Sequence, residues 1–207
     1  QASLLIGDGQ PLVPPGLPAF TLGADLPDDE HTATFNQLAA DIAQSSYTDV
    51  SPPSLELEMS GPDFAVWNAG VEISDFVLHA EFASKAPTDD WVFAIEFRSV
   101  DSVSQYLWIS SDATFSTFDV EGTLDRTPSS IDLIVVGEDG YVALDGQLLA
   151  VLDLADWLVA GDIVFAAVSA DQPAGSTTTL SVERLSILDI KGGISFLHLP
   201  PLTSPTL

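Results

Sequence analysis

The chain predicts an all-β fold: an antiparallel two-sheet sandwich, with one short helix before it and extended proline-rich arms at both ends. Three observations carry this. From about residue 54 onward, apolar residues recur with a period of two, in about ten short runs separated by Gly, Pro, Asp and Ser. Hydrophobic residues make up 46% of the 207, enough to fill a core. Proline clusters near the termini, in "QPLVPPGLPAF" and "GGISFLHLPPLTSPTL", where it forbids regular helix and central strand.

The elements follow in order. Residues 1–31 read as an extended arm that is apolar (Leu4, Leu5, Ile6, Leu12, Val13, Leu17, Phe20, Leu22), unlike a solvated linker. Such an arm needs a surface to lie on, its own domain's or a neighbour's. In "TATFNQLAADIAQSS", Phe35, Leu38, Ala39 and Ile42 fall on one helical face, with Thr32 or Thr34 as the expected cap. The division is therefore 1–53 for arm and helix, 54–191 for the sandwich and 192–207 for a second extended tail.

Within the sandwich, "SLELEMS", "DFVLHAEF" and "WVFAIEF" alternate cleanly. "QYLWIS", "TFSTFDV", "IDLIVV", "YVAL", "QLLAVL", "DIVFAAV" and "TLSVERLSILDI" continue the pattern, and "DLADWLV" reads as one helical turn. Asp145-Gly146 stands between two apolar runs. That pair suits a two-residue hairpin whose central residues both take positive φ. Pairing across it sets Val142 opposite Leu149 and Ala143 opposite Leu148.

Charge limits the function classes. The formal net charge is -26, from 31 Asp+Glu and 5 Lys+Arg. A surface this acidic repels phosphate backbones and anionic membranes, so nucleic acid is not an expected partner. There is no cysteine, which removes disulfides, thiolate metal sites and cysteine nucleophiles. No apolar run reaches the roughly 18 residues of a membrane span. Gln1-Ala-Ser reads as an N-terminus left by signal-peptide removal, which predicts an exported, extracellular or cell-surface protein.

"SLELEMSGPDFAVWNAGVEISDFVLHAEF", "FAIEFRSVDSVSQYLWIS" and "IDLIVVGEDGYVALDGQLLAVL" together resemble the concanavalin A-like (laminin-G-like) lectin/glucanase domains of secreted or surface-anchored bacterial proteins. Asp145 replaces the Asn usual in that pattern; "GDIVFAAV" and "LSVERLSILDI" match its closing strands. The resemblance covers roughly 54–191. It implies a jelly roll of two curved sheets, and glycan or protein binding, in some members with calcium. It implies no particular activity.

Candidate sites follow from pairing and from chemistry. With the hairpin turn centred on Ser102, Phe97 faces Leu107 and Ile95 faces Ile109 toward the core. Arg98 then faces Tyr106 and Glu96 faces Trp108 on the opposite face, to which the next strand adds Phe115, Thr117 and Asp119. Aromatic rings beside charged groups suit a sugar, whose apolar ring faces stack while its hydroxyls take hydrogen bonds. Glu96, Arg98, Tyr106, Trp108 and Asp119 are the expected glycan- or partner-binding residues. The alternative is that the arm or helix covers this face, with Arg98 and Glu96 as a structural ion pair.

No catalytic residues are expected. Glucanases of this fold need alternating carboxylates, and "FDVEG" supplies only Asp119 and Glu121. No metal ligands are expected either: His31, His79 and His198 lack ligand spacing. The acidic loops "LPDDEHT" and "APTDDW" could meet calcium through oxygen, without the spacing of an EF-hand. The apolar arms point first to a non-catalytic structural or interaction subunit, a homo-oligomer or mixed assembly. In that reading Ile194, Phe196, Leu197 and Leu199 form a donor strand. The alternative is a lectin-like glycan-binding module.

Overall fold

A computed structural model describes residues 29–43, 54–60, 64–82, 91–100, 103–117, 120–169 and 177–190, with two-residue strand segments at 5–6, 10–11 and 48–49. The described chain forms two antiparallel sheets packed face to face, with a helix against the outside of one of them.

The short segments β1 (Leu5–Ile6) and β2 (Gln10–Pro11) pair with each other. Helix α1 runs Asp29–Ala43. It begins before either expected cap, so Thr32 and Thr34 lie inside it. Glu30 stands in its first turn, where an acidic side chain complements the helix dipole. Next come β3 (Thr48–Asp49), β4 (Leu55–Ser60), β5 (Phe64–Asn68), β6 (Phe76–Phe82), β7 (Trp91–Val100), β8 (Val103–Ser110), β9 (Thr114–Thr117) and β10 (Glu121–Thr123). The chain continues through β11 (Ser130–Val136), β12 (Asp139–Leu144), β13 (Gln147–Asp153), one 3-10 turn at Ala155–Trp157, β14 (Val164–Ser169) and β15 (Thr177–Asp189).

One sheet has the order β10-β9-β8-β7-β14-β5. The other has the order β13-β12-β11-β6-β15-β3, with β4 pairing the first half of β15 on the same side as β3. Sequence neighbours lie beside each other within hairpins and on opposite sheets between them, which is jelly-roll topology.

Period-two alternation fills the space between the sheets. Phe93, Ile95 and Phe97 point inward from β7, Leu107 and Ile109 from β8, Phe76 and Leu78 from β6, Leu133 and Val135 from β11. Rings form a chain across this core: Phe82 to Phe93 at 5.0 Å between centroids, Phe93 to Phe165 at 5.7 Å, Phe165 to Trp67 at 5.5 Å. Phe35, Leu38 and Ile42 of α1 form a second cluster with Val77, Ile134, Val136, Tyr141 and Leu148, on the outside of the β11-containing sheet. The helix thus covers the sheet opposite the one that carries Tyr106 and Trp108.

The Asp145-Gly146 hairpin forms, with φ of 50° and 75° at its central residues. Ala143 faces Leu148 as expected, but a bulge after Val142 sets that residue opposite Ala150 rather than Leu149. Asp145 also ties the turn to its neighbours. Its Oδ1 accepts the Ser129 N–H at 2.7 Å, the Ser129 hydroxyl at 2.7 Å and the Ser130 N–H at 3.1 Å; Arg126 donates to Oδ2 at 2.9 Å. Partial burial opposes ionisation here, yet these donors outweigh it and hold the carboxyl below its usual range.

Candidate functional site

The outer face of the β7/β8 sheet is built in rows. Along one row stand Val66, Ala166, Ala94, Trp108, Ser116 and Glu121, each the register partner of the next. A second row carries Asn68, Val164, Glu96 and Tyr106. Trp108 therefore sits near the middle of the sheet, with two alanines on one side and a serine on the other. Small neighbours leave room for the largest side chain. Trp108 packs with Ala94, Ala166 and Val168, flanked by Val92 and Tyr106.

Two features mark this patch. Trp108 is only 2% exposed, and its Nε1–H has no hydrogen-bond partner. A buried donor left unpaired costs about 1–3 kcal/mol. Tyr106 and Glu96 are half-buried beside it, and Glu96 accepts a hydrogen bond from the Ser104 hydroxyl.

Glu96, Tyr106 and Trp108 share the face expected of them, but in a different register. Ala94 is opposite Trp108, Glu96 opposite Tyr106 and Phe97 opposite Gln105. The hairpin closes with Val100 opposite Val103, and a bulge between Phe97 and Ser99 shifts everything before it. The same bulge removes Arg98 from the face. Arg98 takes a φ of 46° and turns inward, where its side chain is 1% exposed. Its Nε donates to the Ser74 carbonyl at 2.9 Å, Nη1 to the Gly137 carbonyl at 2.8 Å and Nη2 to Asp75 at 3.1 Å. Burial draws its pKa down, against the support of the Asp75 charge. The Arg98–Glu96 ion pair of the alternative reading does not form; Arg98 pairs with Asp75 instead, a staple between one sheet and the loops of the other.

The next strand has the opposite parity to that expected. Thr114 and Ser116 face outward, while Phe115 is in the core and Thr117 is buried on the core side. Ala113, at φ 64°, turns the chain just before β9. Asp119, the donor strand Ile194, Phe196, Leu197 and Leu199, and the loop acids at 86–90 lie outside the described residues. Asp29 and Glu30, the described part of the other acidic stretch, are in α1. Among the described residues, no group of three or more His, Asp or Glu side chains could hold a metal ion.

Among the described residues, the strand carboxylates of this face are Glu96 and Glu121. Three strand spacings of about 4.8 Å separate them, roughly 15 Å in all. Glycoside hydrolysis needs two carboxyls about 5–9.5 Å apart.

The outer face of the other sheet carries a polar cluster that sequence reasoning missed. His79 Nδ1 lies 2.7 Å from Asp132 Oδ1 and Nε2 lies 3.3 Å from Glu81 Oε1, which also accepts from Arg184 at 3.1 Å. The Asp132 bond, working against partial burial, raises the imidazole pKa above its ordinary value. The signal was present in the alternation: His79 and Glu81 are two residues apart on one face of β6.

No protein-family model matches the chain, and no curated protein matches it in sequence. Solved structures do match. A carbohydrate-binding module from Bacillus subtilis, CBM66, is 13% identical over 70% of this chain and 96% of its own, with a TM-score of 0.46. A β-fructofuranosidase from Aspergillus kawachii, complexed with glycerol, is 15% identical over 72% of this chain, which is 28% of its own length, with a TM-score of 0.50. A glycoside hydrolase family 16 endo-glucanase from Bacteroides ovatus, in complex with G4G3G-2F-DNP, is 8% identical over 65% of this chain and 80% of its own, with a TM-score of 0.50. Together with the two antiparallel sheets and their strand order, the likeness to the last two establishes the fold: a concanavalin A-like jelly-roll sandwich.

Proposed function

We propose that this chain is a non-catalytic glycan-binding module that uses the outer face of the β7/β8 sheet. The observation that carries this reading is the unpartnered Nε1–H of Trp108, set beside Tyr106 and Glu96 at the middle of that face. A half-buried tyrosine ring over a buried indole donor, with a nearby carboxylate acceptor, matches what a pyranose ring and its hydroxyls require. The separation of Glu96 from Glu121 supports binding rather than hydrolysis. The names of the glucanase and fructofuranosidase neighbours fit the same chemistry. An extracellular or cell-surface location belongs to this reading, since that is where glycans are displayed.

The test is a titration of wild type, Tyr106→Ala and Trp108→Phe with an oligosaccharide panel by calorimetry. The reading expects a wild-type ligand and at least tenfold weaker binding in both variants, with melting temperatures close to wild type. Binding unchanged in both variants refutes this face as the site.

A second reading, assembly with itself or another protein, has one observation in its favour. Edge strand β5 exposes Phe64 by 55% and Val66 by 47%. Exposed apolar edges recruit partner strands. Light scattering that returns a discrete mass well above 21.9 kDa would favour it; a monomer would refute it.

A further inference from the structure

The charge inventory narrows the ligand class at the Trp108 face. The chain has five Lys+Arg in all. Arg126 pairs with Asp145 beside the β12–β13 turn, at 2.9 Å. Arg184 pairs with Glu81 on the outside of the other sheet, at 3.1 Å. Arg98 belongs to β7 and would be the natural cation for this face, but its backbone turns it inward onto Asp75. Lys85 and Lys191 lie outside the described residues. Among the described residues, then, the face presents no cation, and its charged strand side chains are Glu96 and Glu121.

That arrangement discriminates. A uronate, sialyl or sulfate group entering the face would be stripped of water with no guanidinium or ammonium of the described residues to meet it. It would also approach two carboxylates on a chain of net charge -26. An uncharged sugar needs only what the face offers: the Trp108 donor, the Tyr106 ring, and acceptors on Glu96, Asn68 and Thr114.

Resting on the glycan-binding reading above, we infer that the site selects uncharged glycans and rejects acidic ones. The selectivity comes from the inward turn of Arg98 rather than from a contact with the sugar.

The experiment presents the full chain with neutral β-glucan, xylan, mannan and fructan, each immobilised, and with the sulfated derivative of every polymer that binds. Polygalacturonate and alginate complete the acidic arm. The inference expects neutral binding that is at least tenfold stronger than to the sulfated derivative, weakened by Tyr106→Ala. Acidic polymers bound as tightly, and lost with Tyr106→Ala, would overturn the inference while leaving this face a glycan site. Silence toward both charge classes would overturn the glycan-binding reading itself, and the inference with it.

Discussion

Arg98 Nη2 stands 3.1 Å from Asp75 Oδ1, and the same oxygen accepts the Gly137 backbone N–H at 3.1 Å. One carboxylate thus ties β7 of one sheet to the β11–β12 turn of the other. The buried guanidinium also satisfies the carbonyls of Ser74 and Gly137. Truncation leaves three acceptors without their donor. Arg98→Ala is expected to destabilise the fold by about 3–5 kcal/mol in urea titration. Asp75→Asn, which leaves the cation buried without its counter-charge, should also destabilise, by about 1–3 kcal/mol.

Gln105 carries the opposite liability. It faces the core opposite Phe97, is 1% exposed, and neither its amide nitrogen nor its oxygen has a hydrogen-bond partner. Gln105→Leu replaces that amide with apolar atoms of similar volume. Stability should rise by about 1–2 kcal/mol, read as a higher urea midpoint at unchanged slope.

The Asp145 turn separates conformation from charge. Asp145→Ala loses both the tolerance for φ of 50° and the bonds to Ser129, Ser130 and Arg126, and should cost about 1–2 kcal/mol. Asp145→Asn keeps the conformation and should cost less. Because the folded-state pKa is lowered, the charge contribution is present above the unfolded value of 3.8 and fades as pH falls through the lower folded one. Melting curves between about pH 2 and 6 should show Asp145→Asn and wild type converging at the acidic end.

His79 has the reverse sign. Its folded-state pKa is raised above 6.5, so its contribution is complete below that pH and is lost as pH rises through the folded value. The stability difference between wild type and His79→Gln should shrink between about pH 6 and 8. High salt should reduce it further, since the cluster is half exposed. A constant difference across that range would contradict the assignment.

Much of this architecture is legible from alternation alone. Inward and outward residues of β6, β7 and β11 follow period two, and the Asp145-Gly146 pair announces its hairpin. The strand misreadings come from local backbone turns. A bulge changes the register of a strand without altering its composition, as at Arg98, and the turn at Ala113 sets the parity of β9; neither is a residue type that advertises a left-handed φ. A one-residue insertion at Arg98 moved a charged group from the candidate face into the interior. The depth of Trp108 was also unreadable, because a strand pattern gives the face a side chain occupies but not what lies over it.

In the proposed site the Trp108 Nε1–H receives the glycan. Indole N–H signals report this directly, since the chain has four tryptophans and the Trp108→Phe variant identifies the signal of interest. A proton–nitrogen correlation spectrum recorded during titration with a bound neutral oligosaccharide should show the Trp108 signal shifting as its donor gains an acceptor. Saturable binding with that signal unmoved, while another tryptophan shifts, would place the glycan elsewhere and rule out Trp108 as its donor.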